Sequence, residues 1–287
     1  EEVALALSRA CPWYPLWLPI ALGLLLVGGE AIGRAVEGED GEAPRGVAAA
    51  SEPPRFELSF ASMPWRSIGP TTMGGRVTDL AVDPRRSSTF YVASASGGLF
   101  KTDNRGITFR AVFEHGGAGS IGAVAVAPSA SSVVWLGTGE ANPRNSVSWG
   151  DGVYKSTDSG ATWTHQGLTQ TRHVARIAIH PHNPDVVFVA AMGRTWAGNP
   201  ERGLYRTRDG GATWELVLFI DADTGCIDVR IDPAQPEVIY AAMWQRRRDA
   251  FDEGDPIVMT GAGSGLFRST DGGESFERLV SGLPTRP

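Results

Sequence analysis

The chain has 287 residues, of which 42% are hydrophobic, so it is long enough to bury a sizeable core. Its formal net charge of −6 is spread along the sequence without long runs of one sign. That distribution argues against nucleic acid as a partner, because such a partner requires a basic face. Glycine and proline are frequent, at 36 and 19 residues, as is typical of a turn-rich all-β protein.

The first distinct segment is an uncharged apolar stretch at residues 12–29, which follows Arg9. Its length lies between that of a secretory signal core and that of a transmembrane helix. Pro15 and Pro19 weaken a straight helix in its first half, whereas the second half is compatible with a helix. We therefore expect residues 1–29 to be a signal peptide or a signal-anchor helix. The chain is then exported to the periplasm, the cell surface or the medium, and a cytoplasmic chain is the less favoured alternative.

Residues 30–63 are expected to form a flexible linker, since their first part is rich in Glu, Gly, Ala and Pro. The chain has two cysteines, Cys11 in the apolar segment and Cys226 at the start of a predicted strand. We do not expect a disulfide between them, and two such cysteines cannot build a metal site. We expect neither a metal nor an organic cofactor.

A repeated unit occupies the rest of the chain. Its pattern is a Gly, two apolar residues, a base and then a hydroxyl–x–Asp–x–Gly–x–hydroxyl–aromatic run, and the first of the four copies is a weaker match. The copies are GLFKTDNRGITF (residues 98–109), GVYKSTDSGATW (152–163), GLYRTRDGGATW (203–214) and GLFRSTDGGESF (265–276). A recurring unit of this size predicts a repeat architecture.

Each repeat predicts four antiparallel strands, which we call A to D. Two apolar, β-branched stretches separated by an X-Pro precede every run and predict strands A and B. In the third repeat, strands A to D are predicted at residues 174–179, 186–191, 203–207 and 213–219.

The Asp-containing run falls on the predicted C–D turn. An Asp there can accept hydrogen bonds from backbone N–H groups a few residues on, and the following Gly can take a positive φ. The aromatic residue then anchors the turn by burial. Such an Asp could instead bind a metal or act as a catalytic acid, but it recurs in every unit, whereas an active site occurs once. The residues assigned to this structural role are Asn104, Asp158, Gly160, Trp163, Asp209, Gly211, Trp214, Asp271, Gly273 and Phe276.

These runs resemble the Asp-box (BNR) repeat of sialidases, xyloglucanase-type glycosidases, the sortilin luminal domain and photosystem II assembly factors. The second to fourth copies fit at every position. The first departs from the pattern, because Asn104 stands where the acid belongs and Asp103 comes one place early. The sequence around the runs, at residues 66–77 and 137–156, looks most like that of large bacterial exported proteins with a sortilin-type N-terminal region.

The resemblance covers residues 64–287 and implies an all-β fold, a β-propeller with four-stranded antiparallel blades. It also implies that the Asp boxes are folding elements remote from any substrate. About four blades are expected, at roughly residues 64–113, 120–168, 173–219 and 225–283. Residues 65–69 resemble a D strand with no A, B or C strand before it, so we expect a partial propeller with exposed edges.

Strand direction places the A–B and C–D turns at one end of the blades and the B–C and D–A loops at the other, which we call the loop face. The B–C loops differ most in length, and such variation on a repeated scaffold is where function is usually carried. Their candidates for ligand binding are Arg144, Trp149, Trp196 and Trp244. Exposed Trp beside carboxylates suits sugar recognition. Alternatively, these Trp residues cap the blade edges and the charges are solvated.

The A strands line the central channel of a propeller. Aligning them on their X-Pro places Asp79, Ala123, Arg176 and Asp228 at one matched position, and Arg76 at another near the loop face. Polar groups there are costly to bury unpaired, so they either bind a ligand or pair between blades. Asp79–Arg176 pairing is the favoured alternative, and Arg76, Asp79, Arg176 and Asp228 remain ligand-binding candidates.

Two functions stay open. The first is an exported binding or scaffold module of the sortilin-like kind, which holds a peptide, a protein or a glycan on the loop face or in the channel. The second is an Asp-box glycoside hydrolase, which generally requires two carboxylates across the scissile bond. Its catalytic candidates are Glu140, Asp151 and Asp252. We expect no nucleic-acid partner, and membrane contact only through the N-terminal helix.

Overall fold

The computed structural model describes residues 75–142, 147–248 and 260–283. They form four antiparallel sheets of four strands each, and the strands of every sheet lie side by side in chain order. We call these sheets blades 1 to 4. Their strands are β1 (Val77–Val82), β2 (Phe90–Ser94), β3 (Gly98–Thr102), β4 (Arg110–Ala111), β5 (Ile121–Ala127), β6 (Ala130–Thr138), β7 (Val153–Ser156), β8 (Thr164–His165), β9 (Val174–Ile179), β10 (Val187–Ala191), β11 (Gly203–Thr207), β12 (Glu215–Leu218), β13 (Thr224–Ile231), β14 (Ile239–Gln245), β15 (Gly265–Ser269) and β16 (Glu277–Arg278). A short 3-10 helix, Thr169–Thr171, precedes blade 3.

The blades follow one another as in a β-propeller. Their first strands contact each other in series, β1 with β5, β5 with β9 and β9 with β13. A cluster of buried apolar side chains fills each of the three junctions between blades. Strand β10, Val187–Ala191, is buried at every position because both faces of its sheet are covered. The predictions of an all-β chain and of four four-stranded blades are confirmed.

An irregularity in strand pairing recurs at one position of every blade. The pairing of the first two strands shifts register between Val77 and Asp79 in blade 1, and at the matched place in the other three blades. A bulge inserts one residue and re-aims the side chains next to it. Because the shift immediately precedes Asp79, Ala123, Arg176 and Asp228, it sets the direction of the side chains at the matched channel position.

The repeated run closes the turn between the third and fourth strands of each blade, and we call it the repeat turn (residues 102–109, 156–163, 207–214 and 269–276). In the second turn, Asp158 Oδ1 accepts hydrogen bonds from the backbone N–H groups of Ala161 and Thr162 at 2.9 and 2.8 Å. Its Oδ2 accepts the Thr162 hydroxyl at 2.6 Å. Gly160 has a φ of 83°, which the turn requires and which glycine adopts without strain.

The first repeat turn keeps this bonding, although Asn104 replaces the acid. Asn104 Oδ1 accepts the backbone N–H of Thr108 at 2.9 Å, and its Nδ2 donates to the Thr108 hydroxyl at 2.9 Å. An amide therefore replaces the carboxylate by reversing the direction of one side-chain hydrogen bond.

The fourth strand of blade 3 is shorter than predicted. In blade 3, β12 spans Glu215–Leu218 rather than residues 213–219. Trp214 belongs to the turn instead, because its indole Nε1 donates to the backbone carbonyl of Gln166 in blade 2 at 2.7 Å. Trp163 makes the same bond to Val112 of blade 1 at 2.6 Å. The ring that ends a repeat turn thus fastens its blade to the preceding one.

The expected signal or anchor helix at residues 1–29, the linker at 30–63 and the D-like strand at 65–69 lie outside the described residues. Within the described ranges, no helix is long and apolar enough to cross a membrane.

Candidate functional site

Four polar residues gather at the loop-face end of the channel, and we call them the channel-mouth cluster: Arg76, Ser120, Glu140 and His173. Both carboxylate oxygens of Glu140 accept hydrogen bonds from the Arg76 guanidinium, one of them from Nε at 3.0 Å. The Glu140 backbone N–H donates to the Ser120 hydroxyl at 3.0 Å. Glu140 is fully buried, whereas the Arg76 side chain is 37% exposed. The pair therefore presents its cation, rather than its carboxylate, to solvent.

His173 completes this cluster from blade 3 and is 4% exposed. Burial lowers the pKa of His173 to about 4, against the opposing effect of its hydrogen bond to the Glu140 backbone. The imidazole is therefore neutral at physiological pH. Among the described residues its Nδ1 has no hydrogen-bond partner.

Further down the channel, three of the four residues at the matched position pair with one another. Arg176 donates from Nη1 to Asp79 Oδ1 at 2.8 Å and from Nε to Asp228 Oδ1 at 3.1 Å. The small Ala123 lies in the intervening blade, and the bridge joins blades 1, 3 and 4. Arg230 lies beside Asp228 at 3.3 Å. The favoured alternative of pairing between blades is thus what the structure shows.

Three tryptophans each lie beside an arginine: Trp149 and Trp196 on B–C loops, and Trp244, which was predicted on a B–C loop but lies inside β14 because that strand continues to Gln245. Trp149 and Trp196 are 71% and 52% exposed, and Trp244 is partly buried. The guanidinium carbon of an arginine lies 5.6, 5.5 and 4.6 Å from the respective ring centroids, and the arginines are Arg172, Arg248 and Arg246. A cation over the ring face holds the indole in place at little cost. The two exposed rings are therefore fixed platforms.

Arg202 lies at the end of the B–C loop of blade 3, yet it does not face a ligand, because it is fully buried. Its guanidinium donates to the backbone carbonyls of Asp223 and Arg246 at 2.6 and 2.8 Å, and to that of Arg194. Two weaker bonds reach the Ala197 carbonyl and the Asn199 amide, both at 3.3 Å. Arg202 therefore ties the Trp196 loop to the end of β14 and to the chain entering blade 4.

Asp151, a candidate catalytic acid, has both oxygens engaged. Its Oδ2 accepts the Tyr154 hydroxyl at 2.6 Å, and its Oδ1 accepts the Thr138 hydroxyl at 3.1 Å. Burial, and then the bond to Asp151, raises the pKa of Tyr154 to about 12. Asp151 lies at the end of the B–C loop of blade 2, and its bonds link the last residue of β6 to β7. The other two candidates in this region, Arg144 and Asp252, lie outside the described residues.

The repeat turns lie at the opposite end of the blades, together with the A–B turns. Lys155 of blade 2 shows this, because it donates both to Asp185 in an A–B turn and to the Gly210 carbonyl in a repeat turn, at 3.3 and 3.1 Å. Hydrogen bonds from Thr213 and Ser275 lower the pKa values of Asp209 and Asp271 to about 2. These carboxylates therefore stay ionised at neutral pH and accept hydrogen bonds within their own turns. No group of three or more His, Cys, Asp or Glu side chains in the described ranges is placed to hold a metal ion.

A cleft of about 470 Å³ opens elsewhere, on the outer rim between blades 1 and 2. It is lined by Phe113, Tyr154 and Trp163 among others, with Glu114 and His115 at its edge. The sequence analysis did not predict this cleft, because its lining combines part of a repeat turn, at Gly160 and Trp163, with the end of blade 1 and the D–A loop that follows it. It is separate from the channel-mouth cluster and the exposed tryptophans.

Comparison with known proteins bears on the fold. No family model matches this sequence, and no curated protein matches it. Among solved structures, a GH74 xyloglucanase from Xanthomonas campestris is similar with a TM-score of 0.56 and 23% identity, over 77% of this chain and 32% of that one. An ancestral GH74 enzyme is similar with a TM-score of 0.54 and 17% identity, over 75% of this chain and 27% of that one.

This chain therefore spans about a third or less of the length of those GH74 structures. At such identities the likeness shows a shared β-propeller fold and nothing about activity. YCF48 bound to a D1 peptide also aligns, with a TM-score of 0.42 and 13% identity over 74% of this chain and 84% of that one. That likeness is too distant to bear on function.

Proposed function

We propose that this chain is an exported β-propeller binding module of the sortilin-like Asp-box type, and that its ligand sits on the loop face. The observation that carries the proposal is the pair of exposed tryptophans, Trp149 and Trp196, each held by an arginine. A ring held by an arginine is ordered before binding, so a ligand that stacks on it loses less conformational entropy. The exposed Arg76 of the channel-mouth cluster provides a hydrogen-bond donor on the same face.

A flat ligand with apolar faces and polar edges suits this surface. A pyranose ring stacks on indole through its C–H face and offers hydroxyl groups to arginine donors, and one structural neighbour is a xyloglucanase. A peptide with aromatic or proline side chains is the other ligand that such platforms accept. The channel is a less favourable binding site for the ligand, because Arg176 already donates hydrogen bonds to both Asp79 and Asp228.

Glycoside hydrolysis is the second candidate function. It requires one carboxylate that protonates the leaving group and a second that attacks or activates water. Here Glu140 is buried against Arg76, and Asp151 holds Tyr154 and Thr138. Neither is free to do this in the arrangement described, which favours binding over hydrolysis.

The experiment is a panel of polysaccharides, oligosaccharides and peptides, tested for binding by calorimetry and for release of reducing sugar. We expect binding without turnover. Trp149→Ala and Trp196→Ala should each weaken it by roughly tenfold, the effect of losing one stacking contact of about 1–2 kcal/mol. Phe109→Ala is the matched control, since this ring is 43% exposed but lies in a repeat turn at the other end of the blade. Turnover that is abolished by Asp151→Ala or Asp79→Ala would establish the hydrolase instead.

A further inference from the structure

Two arginines from different loops meet at one side-chain oxygen on the loop face. Gln170 Oε1 accepts hydrogen bonds from Nη2 of Arg172 at 3.4 Å and from Nη2 of Arg194 at 3.1 Å. Gln170 and Arg172 belong to the D–A loop that enters blade 3, and Arg194 lies in the B–C loop of that blade, after β10. Both hydrogen bonds are exposed to solvent. The two loops thus bring two guanidinium groups together at the surface.

This pair of positive charges has no counter-charge from the described part of the chain. Neither arginine forms an ion pair with an Asp or Glu there, whereas exposed arginines elsewhere, such as Arg208 and Arg247, do. The acceptor that the two guanidinium groups share is a neutral amide, so it leaves their mutual repulsion uncompensated. An anion between them removes that repulsion and accepts charged hydrogen bonds from both.

The backbone that presents Arg172 is strained. Arg172 has a φ of 59° and a ψ of −40°, a combination outside the left-handed helical region that residues other than glycine rarely adopt. Its neighbours hold it there, since the Gly150 N–H donates to the Arg172 carbonyl at 2.7 Å. A Cβ at Gly139 would lie 1.9 Å from that carbonyl oxygen. Strained residues that the surrounding fold holds in place cluster at binding sites, which is consistent with such a role for Arg172.

The same arginine lies beside an exposed aromatic ring. The guanidinium carbon of Arg172 is 5.6 Å from the ring centroid of Trp149, which is 71% exposed. A pyranose with an anionic group attached to its ring uses both features at once, because its C–H face stacks on the indole while the anion reaches the arginines. In a peptide, the aromatic and acidic groups come from separate flexible side chains, and ordering both costs conformational entropy.

We propose that Arg172 and Arg194 bind the anionic group of an acidic polysaccharide whose pyranose stacks on Trp149. The anionic group is a hexuronate carboxylate or a sulfate ester, since the oxygens of either accept hydrogen bonds from two guanidinium groups. This inference rests on the proposed function, because it names the class of ligand for the same face.

The test is calorimetry with two matched pairs of oligosaccharides. One pair is an oligogalacturonate and its carboxyl-reduced form, and the other is a sulfated galactan oligosaccharide and its desulfated form. We expect one acidic form to bind at least about tenfold more tightly than its neutral counterpart, the effect of one charged hydrogen bond. The pair that shows this difference identifies the anionic group.

Arg194→Met should weaken binding of that acidic form by about tenfold and leave binding of the neutral form unchanged. Arg194 is the residue to change, because Arg172→Met would also remove the cation beside Trp149. Arg208→Met is the matched control, since it removes a half-exposed arginine from a repeat turn at the other end of the blades and should alter neither affinity.

The outcomes distinguish this inference from the proposed function. If the neutral forms bind as tightly as the acidic ones and Trp149→Ala weakens both, the loop-face function stands and the anion site is refuted. Equal weakening of both forms by Arg194→Met also overturns the anion site, because it indicates a structural role. An acidic peptide that binds through Arg194, when no acidic oligosaccharide binds, overturns the assignment to a polysaccharide. Binding that neither Trp149→Ala nor Trp196→Ala weakens, or no binding by any glycan or peptide, refutes the proposed function itself.

Discussion

Replacement of Arg202 should destabilise the protein strongly, although the residue lies in a loop and has no carboxylate partner among the described residues. Arg202→Met removes five hydrogen bonds, four of them to backbone carbonyls. A hydrogen bond to a charged group contributes about 1.5–3 kcal/mol, so the gross loss approaches roughly 10 kcal/mol.

Two effects oppose this loss. Burial lowers the pKa of Arg202 to about 10, which corresponds to a desolvation cost of roughly 3 kcal/mol that methionine avoids. Methionine also gains roughly 1–2 kcal/mol from burying its own side chain. Because hydrogen bonds that share one group are not additive, the net destabilisation is on the order of 3–5 kcal/mol. For a unit of this size that lowers the Tm by on the order of 10 °C.

Urea unfolding followed by tryptophan fluorescence measures this change. Arg202→Lys should recover only part of the stability, because a point ammonium cannot reach carbonyls of three separate segments as the guanidinium fork does. Arg208→Met is the control, since that arginine is 49% exposed and its surface ion pairs contribute about 1 kcal/mol or less. An Arg202→Met protein within about 0.5 kcal/mol of wild type would contradict this role, because it would mean that the loops hold together without the guanidinium.

Three further predictions concern charge. The folded pKa values of Asp209 and Asp271 are depressed to about 2, so the stability they contribute is present above the unfolded value near 3.8 and is lost as the pH falls toward 2. Urea unfolding should show the free energy of unfolding falling between pH 6 and pH 2. The fall should be smaller in the Asp209→Asn, Asp271→Asn double variant, and an equal fall would contradict the assignment. The pKa of His173 is about 4 rather than 6.5, so the unfolded chain takes up its proton first and stability falls as the pH drops from 6.5 through 4. Its imidazole NMR signals should not titrate between pH 5.5 and 8, and a midpoint near 6.5 would be inconsistent with the buried position. Arg176→Met leaves Asp79, whose side chain is 10% exposed, without its cation and should cost about 1–3 kcal/mol by urea unfolding, whereas no loss would mean that the bridge between blades is unimportant.

The repeat made most of the fold predictable. Proline-aligned strands and a turn motif in four copies define which residues are matched between blades, and the four sheets follow that alignment. The limits predicted for the fourth strand of blade 3 were wrong because Trp214 has strand propensity, yet its indole Nε1 donates to a backbone carbonyl of the preceding blade. The strand propensity of a short segment cannot predict a contact between residues of two different blades.

The candidate site was predictable only where residues share a repeat position. Alignment brought Asp79, Arg176 and Asp228 to one level of the channel, and the structure pairs them. The role of Arg202 could not be predicted from the sequence. Its carbonyl partners lie up to 44 residues away, and the directions of those carbonyls are set only when the loops fold. The register shift that re-aims the channel residues also has no sequence signal other than its position.

Hydroxyl-radical footprinting of the tryptophans is the decisive experiment for the loop-face proposal, since oxidation follows exposure. In the free protein, Trp149 and Trp196 should oxidise readily, while the fully buried Trp135 serves as an internal reference. With the tightest-binding member of the glycan and peptide panel at saturation, we predict protection of Trp149 and Trp196 and unchanged oxidation of Trp163. Protection of Trp163 at the outer-rim cleft, with Trp149 and Trp196 still reactive, would contradict the assignment of the ligand to the loop face.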